Sequence, residues 1–107
     1  MENEDIEDLF RSLGPVSIRK MFGGKGIYVD GRIIACILDG GLMLKGDAEA
    51  GPLYEEAGSR QWTYQHNKTG KDVKMPYWTA PEAAFDDSDE MAKWARVAYE
   101  ASLRAKK

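Results

Sequence analysis

Chemistry needs reactive groups at short, defined spacings, and few segments of these 107 residues offer them. The single histidine, His66, has no nucleophile or oriented carboxylate beside it in a general-base pattern. The single cysteine, Cys36, sits in Ile33-Ile34-Ala35-Cys36-Ile37-Leu38, where apolar neighbours raise a thiol's pKa and blunt its nucleophilicity. Gly23-Gly24-Lys25-Gly26 sets a cation among glycines, as a phosphate cradle does. A P-loop, however, needs Lys followed by Ser or Thr, and the dinucleotide pattern fails because Val29 stands where its third glycine belongs. The acids Asp86, Asp87, Asp89 and Glu90 lack the spacing of a calcium loop and suit a helix start instead. One cysteine and one histidine also exclude disulfide scaffolds and multi-ligand zinc modules. No catalytic residue, cofactor or metal is expected.

Two segments have the composition of contact surfaces. Lys68, Lys71 and Lys74 interleave toward Tyr77 and Trp78, as on a single-strand nucleic-acid platform, although an ordinary edge hairpin looks the same. Arg19-Lys20-Met21-Phe22-Gly23-Gly24-Lys25 is more informative. In a strand Arg19 and Met21 share one side and Lys20 and Phe22 the other, so a cation must share a face with a large apolar group. Such mixed faces suit protein interfaces. These seven residues are the candidate partner-binding set.

The elements that must position them follow from periodicity. Ile6, Leu9, Phe10 and Leu13 fall at helical spacing, with Asn3 as N-cap and Gly14-Pro15 as stop, giving a first helix over about residues 4–13. From Ser17 to Leu44 the period shortens, and Asp30-Gly31 is a strong hairpin turn, so a three-stranded antiparallel meander is expected. Residues 48–57, with Pro52 early and Gly58 just past the end, read as a short helix. Residues 62–66 and 73–78 alternate as a second hairpin, in which Pro76 demands an edge position or an irregularity. Thr79-Ala80-Pro81-Glu82 matches a capping box opening a single helical turn, and Asp87 with Glu90 caps a last helix. Its apolar stripe is Met91, Trp94, Ala95, Ala98, Ala101 and Ala105, small enough for close approach to a sheet. The order α-β3-α-β2-α, with no βαβ repetition, is an α+β fold with a five-stranded antiparallel sheet in one domain over 1–107.

The strand at Ile33–Leu38 is apolar on both sides. Either the helices divide between the two faces of the sheet, or an apolar patch is left for a partner or a second copy in a homodimer; the second is the expectation. A net charge of −3 argues against strong nonspecific nucleic-acid binding. The longest apolar run is far shorter than a bilayer span, and the acidic start lacks the basic region of a signal peptide. A cytoplasmic address without a membrane is expected.

Arg19-Lys20-Met21-Phe22-Gly23-Gly24, followed by Gly26-Ile27-Tyr28 and Asp30-Gly31, resembles the N-terminal domain of the TfoX/Sxy family of competence regulators. The resemblance continues through Leu42-Met43-Leu44-Lys45, Gly58, Thr63-Tyr64, Met75-Pro76-Tyr77-Trp78, Pro81 and Trp94, nearly the whole chain. It implies a secretion-chaperone-like fold of order α-β3-α-β2-α. It also implies a non-enzymatic, bacterial transcriptional co-regulator of DNA uptake that works beside a cAMP receptor protein-like regulator. Such regulators carry a second, helical domain that these residues do not include, so the resemblance implies a free-standing domain that binds a protein partner and meets nucleic acid only indirectly. Direct nucleic-acid binding, or a small-molecule-binding protein or unrecognised enzyme with a pocket near His66 or Lys25, are the alternatives.

Overall fold

Three glycine-bearing turns interrupt residues 17–45, and three turns join four strands. The computed structural model, which describes residues 1–21, 23–38, 40–65 and 68–105, accordingly has a four-stranded meander. Strands β1 (Ser17–Met21), β2 (Gly24–Val29), β3 (Arg32–Leu38) and β4 (Gly41–Lys45) pair antiparallel in succession. The hairpin β5 (Gln61–Gln65) and β6 (Asp72–Thr79) joins through β6 against β4, giving one six-stranded antiparallel sheet of order β1-β2-β3-β4-β6-β5. The fold is α+β as expected, but with six strands rather than five, because the turn at Gly40 separates β3 from β4 and the meander expected to have three strands has four. Asp30 and Gly31, at φ +53° and +79°, form the β2–β3 turn that Asp-Gly signals.

Pro76 lies in β6, which is flanked on both sides. The ladder takes up the missing N–H as an irregularity: Gln61 pairs Trp78 and Thr63 pairs Lys74, so three β6 residues stand opposite Trp62 alone. A second shift, between β2 and β3, makes Ile34 the extra residue.

Helix α1 (Asn3–Leu9) is followed by a 3-10 turn, Arg11–Leu13, so the apolar spacing read as one helix is served by two pieces. Asn3 is not its cap. Helix α1 begins at Asn3 after an extended Glu2, and the Asn3 side chain instead accepts a hydrogen bond from Lys25. Helix α2 (Gly51–Glu56) carries Pro52 in its first turn, and Asp47 Oδ1 accepts from the amides of Glu49 and Ala50 just before it. The short α3 (Ala83–Asp86) supplies the expected single turn, but no capping box opens it. Thr79 is the last residue of β6, and its amide and Oγ1 are both taken by Arg60. Helix α4 (Ser88–Arg104) is capped by Asp87, which accepts from the Asp89 amide, as the sequence indicates.

One hydrophobic core forms between the helices and one side of the sheet. Ile6 and Phe10, the α4 stripe Met91, Trp94, Ala95, Ala98 and Ala101, and Tyr54 of α2 close over Ile27, Ile34, Ala35, Ile37, Leu44 and Trp78. Each large aliphatic or aromatic side chain fully buried there contributes about 1.5–3 kcal/mol by leaving water. Ala105 does not belong to the stripe: it lies past the helix end and is exposed, while Ser102 is buried in the last turn. At the centre Tyr54 stacks between Trp78 and Trp94, at centroid distances of 5.8 and 5.5 Å, and its hydroxyl donates to the Lys45 carbonyl at 2.7 Å. Burial holds that phenol well above its usual pKa.

Candidate functional site

Directly paired residues in antiparallel strands point to the same side, so the register sorts the sheet into two faces. Ile18, Ile27, Ala35, Leu44 and Trp78 form a row across β1, β2, β3, β4 and β6 that meets the helices. The neighbouring row, Arg19, Gly26, Cys36, Met43 and Thr79, points the other way. Lys45 pairs Tyr77 and Tyr64 pairs Val73 on that second side, and Met21, Tyr28 and Ile33 converge there on Gly26. None of these residues belongs to the helix-backed core or packs against it. The helices therefore share one face, and the apolar second side of β3 is left without a helix.

Among the described residues this open face is covered only by its own side chains. Arg19 lies over the Tyr28 ring with its guanidinium carbon 5.2 Å from the centroid, and the Lys45 ammonium lies 5.4 Å from that of Tyr77. Trp62 stands between Tyr64 and Tyr77, at 6.1 and 6.4 Å. Beneath this layer Cys36 is fully buried and its thiol is pushed up to about 11 by loss of water; Tyr77 is pushed up to about 12, by burial first and by nearby Cys36 and Tyr28 after it. Neither group ionises near neutral pH. Met21, Tyr28, Ile33, Met43, Trp62 and Met75 stay half-buried, and Tyr64 is exposed. The result is a continuous apolar and aromatic surface rimmed by two cations, the composition of an interface centre.

The seven residues singled out in the sequence divide over this frame. Arg19 and Met21 lie on the open face. Lys20 and Lys25 pair with each other on the opposite side, where Lys25 also pairs Ile37. Lys25 Nζ donates to the Met1 carbonyl at 3.1 Å and to Asn3 Oδ1 at 2.7 Å, tying α1 to the sheet. Gly24 admits no side chain, because a Cβ there would run into the Ile37 carbonyl oxygen; at Gly26 it would stand 2.8 Å from the Met21 sulfur. Gly23 forms the β1–β2 turn, and Phe22, like His66, lies outside the described residues. In the second basic segment, Tyr77 reaches the open face while Trp78 is in the core.

Sequence reasoning did not single out Ile33, Met43, Lys45, Trp62 or Tyr64 as contact residues. For Met43 and Lys45 the available signal was parity, since they alternate with the core residues Leu42 and Leu44. Ile33 reaches the open side only through the register shift at Ile34, and β5 has no core residue to alternate with Trp62 and Tyr64.

Two hollows adjoin the segments considered above. One of about 550 Å³ beside Lys25 is lined by glycines, Met1, Lys20, Met21 and Ile37, and its Lys25 ammonium is already engaged by α1. Another of about 620 Å³, between the α1 end and the α3–α4 junction, joins Leu9, Phe85 and Met91 with carboxylates. Among the described residues no three His, Cys, Asp or Glu side chains are grouped to hold a metal ion. Nor is any described helix long and apolar enough to cross a membrane.

A search of curated proteins finds no match to this chain. The sequence model of the TfoX N-terminal domain matches residues 8–102, from the second turn of α1 to near the end of α4, so the chain belongs to the TfoX N-terminal domain family.

Proposed function

We propose that this chain is a non-enzymatic regulatory domain of the cytoplasm that binds a protein partner through the open face of its sheet. Membership of the TfoX N-terminal domain family supports a regulatory role connected with competence and transcription. The observation that carries the docking surface is the one-sided helix layer. A six-stranded sheet with apolar residues in both registers has helices on one face, and Met21, Tyr28, Ile33 and Met43 stay half-buried on the other. The single thiol is buried and unpaired, consistent with a reducing compartment. The partner in this reading is a transcription-associated protein, such as a cAMP receptor protein-like regulator, and any contact with nucleic acid runs through it.

The test is recovery of the chain with its bound proteins from its native host, for the wild type and for Met43→Glu. The substitution sets a carboxylate in the middle of the open face without entering the helix-backed core. The expected result is a specific companion lost from Met43→Glu while the thermal unfolding curve is little changed. A companion retained equally by both chains would show that contact is made elsewhere and would overturn the reading.

A further inference from the structure

Charge in this molecule is sorted by layer. The six strands carry Arg19, Lys20, Lys25, Arg32, Lys45 and Lys74, and the single carboxylate within them is Asp72 at the first position of β6. The acids gather on the helical side, with Glu4, Asp5, Glu7 and Asp8 in α1 and Asp86, Asp89 and Glu90 at α3 and the start of α4. A chain of net charge −3 therefore offers an open face whose described strand residues include cations and no carboxylate. Both cations on that face are unspent. Among the described residues Arg19 and Lys45 make no salt bridge or side-chain hydrogen bond, and each is held over a tyrosine ring beside apolar surface.

Resting on the reading of this face as a docking surface, we infer that its occupant is an acidic amphipathic segment of a partner protein. The apolar side of that segment packs on Met21, Tyr28, Ile33 and Met43, and its carboxylates meet Arg19 and Lys45. Arg19 on β1 and Lys45 on β4 are separated by three strand spacings and offset by two residues along the strand, about 16 Å in all. Three turns of helix span about the same length, so acids near positions i and i+11 on one helix side reach both cations. Carboxylates on arginine and lysine form charge-assisted bonds that strengthen where apolar contact excludes water. Two other occupants fit less well. A second copy set face to face would press its own Arg19 and Lys45 against a surface whose described strand residues likewise carry no carboxylate. Single-stranded nucleic acid needs open ring faces for stacking, yet Arg19 and Lys45 occupy those of Tyr28 and Tyr77, and Tyr77 is only 8% exposed.

The experiment uses the whole chain and three fluorescent probes, read by anisotropy. Two are synthetic helical peptides of about 18 residues, or five turns, with one shared Leu/Phe side and either Glu or Lys at the polar positions; the third is an oligothymidine. The Glu peptide should bind on the order of tenfold tighter than the Lys peptide at low salt, and the gap should narrow as salt rises. Arg19→Gln with Lys45→Gln should weaken the Glu peptide by roughly tenfold and leave the Lys peptide unchanged. Equal affinity for the two peptides, indifference to the double substitution, tighter binding of oligothymidine, or no binding of the Glu peptide overturns the inference. Met43→Glu separates the two levels. Where the two peptides bind equally, loss of both from Met43→Glu, or loss of the host companion from it, leaves the docking face standing and only its charge selection falls; if peptides and companion all bind the variant undisturbed, the docking face falls as well.

Discussion

Two adjacent rows of one sheet are buried by different means. Ile18, Ile27, Ala35, Leu44 and Trp78 face helices whose small side chains allow close approach, and Ile27, Ala35 and Leu44 are fully buried. Arg19, Gly26, Cys36, Met43 and Thr79 are displaced by one residue on every strand, and among the described residues they are covered only by what the sheet itself can reach across. Long side chains can hide a small residue such as Cys36, but Met21, Tyr28, Ile33 and Met43 stay only half-buried themselves. A helix layer thus completes a core, whereas a side-chain layer leaves a surface with apolar contact still to make.

The sharpest way to break this contrast is to truncate neighbours on opposite sides of β4. Leu44→Ala, on the helix side, should cost about 2–5 kcal/mol in urea unfolding, through lost burial and the cavity it leaves. Met43→Ala, one residue earlier on the open side, should cost about 1 kcal/mol or less. Equal losses would mean that the open face carries as much of the core as the covered one.

Alkali tests the side-chain layer next. Because burial raises the folded pKa of Cys36 to about 11, its stabilising effect is complete below the unfolded thiol's pKa of about 8.5 and is lost as pH rises toward the folded value. By pH 10 that loss amounts to about 1–2 kcal/mol, and Cys36→Ala should flatten this part of the stability curve. An unchanged slope between pH 8 and 10 in the variant would show that Cys36 is reached by water.

A smaller effect reports how the covered side holds a residue of the open one. Tyr54→Phe removes the hydrogen bond to the Lys45 carbonyl and should cost about 1 kcal/mol, measurable as a lower unfolding temperature. The smallest effect belongs to a pair outside both rows. Arg104 donates to Asp47 at 2.7 and 3.1 Å, and this contact, aided by the Glu49 and Ala50 amides, holds the Asp47 carboxyl below its ordinary pKa. The stability it adds is present above about pH 4 and is lost as pH falls through the lower folded value. Asp47→Asn should cost about 0.5–1 kcal/mol at neutral pH, the pair being partly exposed, and its stability should fall less steeply in acid.

How far the sequence could be read differs by element. The Asp30-Gly31 turn, the Asp87 cap and the α4 stripe through Ala101 were legible because each depends on residues a few positions apart. Thr79-Ala80-Pro81-Glu82 misled for the opposite reason: its local pattern fits a cap, but pairing with Arg60, 19 residues away, takes Thr79 first. The fourth strand of the meander was open to view but miscounted: Gly40-Gly41 punctuates the apolar run as Gly23-Gly24 and Asp30-Gly31 do, and three turns join four strands. At the candidate site, Arg19 and Met21 could be marked as sharing a face, but Lys45 and Trp62 come from strands far along the chain and join them only through the sheet order.

By its alternation, turn residues and spacing of acids and bases, the sequence determined that an antiparallel sheet forms, that β3 is apolar in both registers, and that an alanine-striped helix follows. Only the tertiary structure decided that all helices take the side of Ala35 and Leu44, leaving Cys36 and Met43 beneath tyrosines and cations. A period of two divides residues between faces without distinguishing the faces. Which side is covered is settled by long-range packing, as Tyr54, Trp78 and Trp94 come together from α2, β6 and α4.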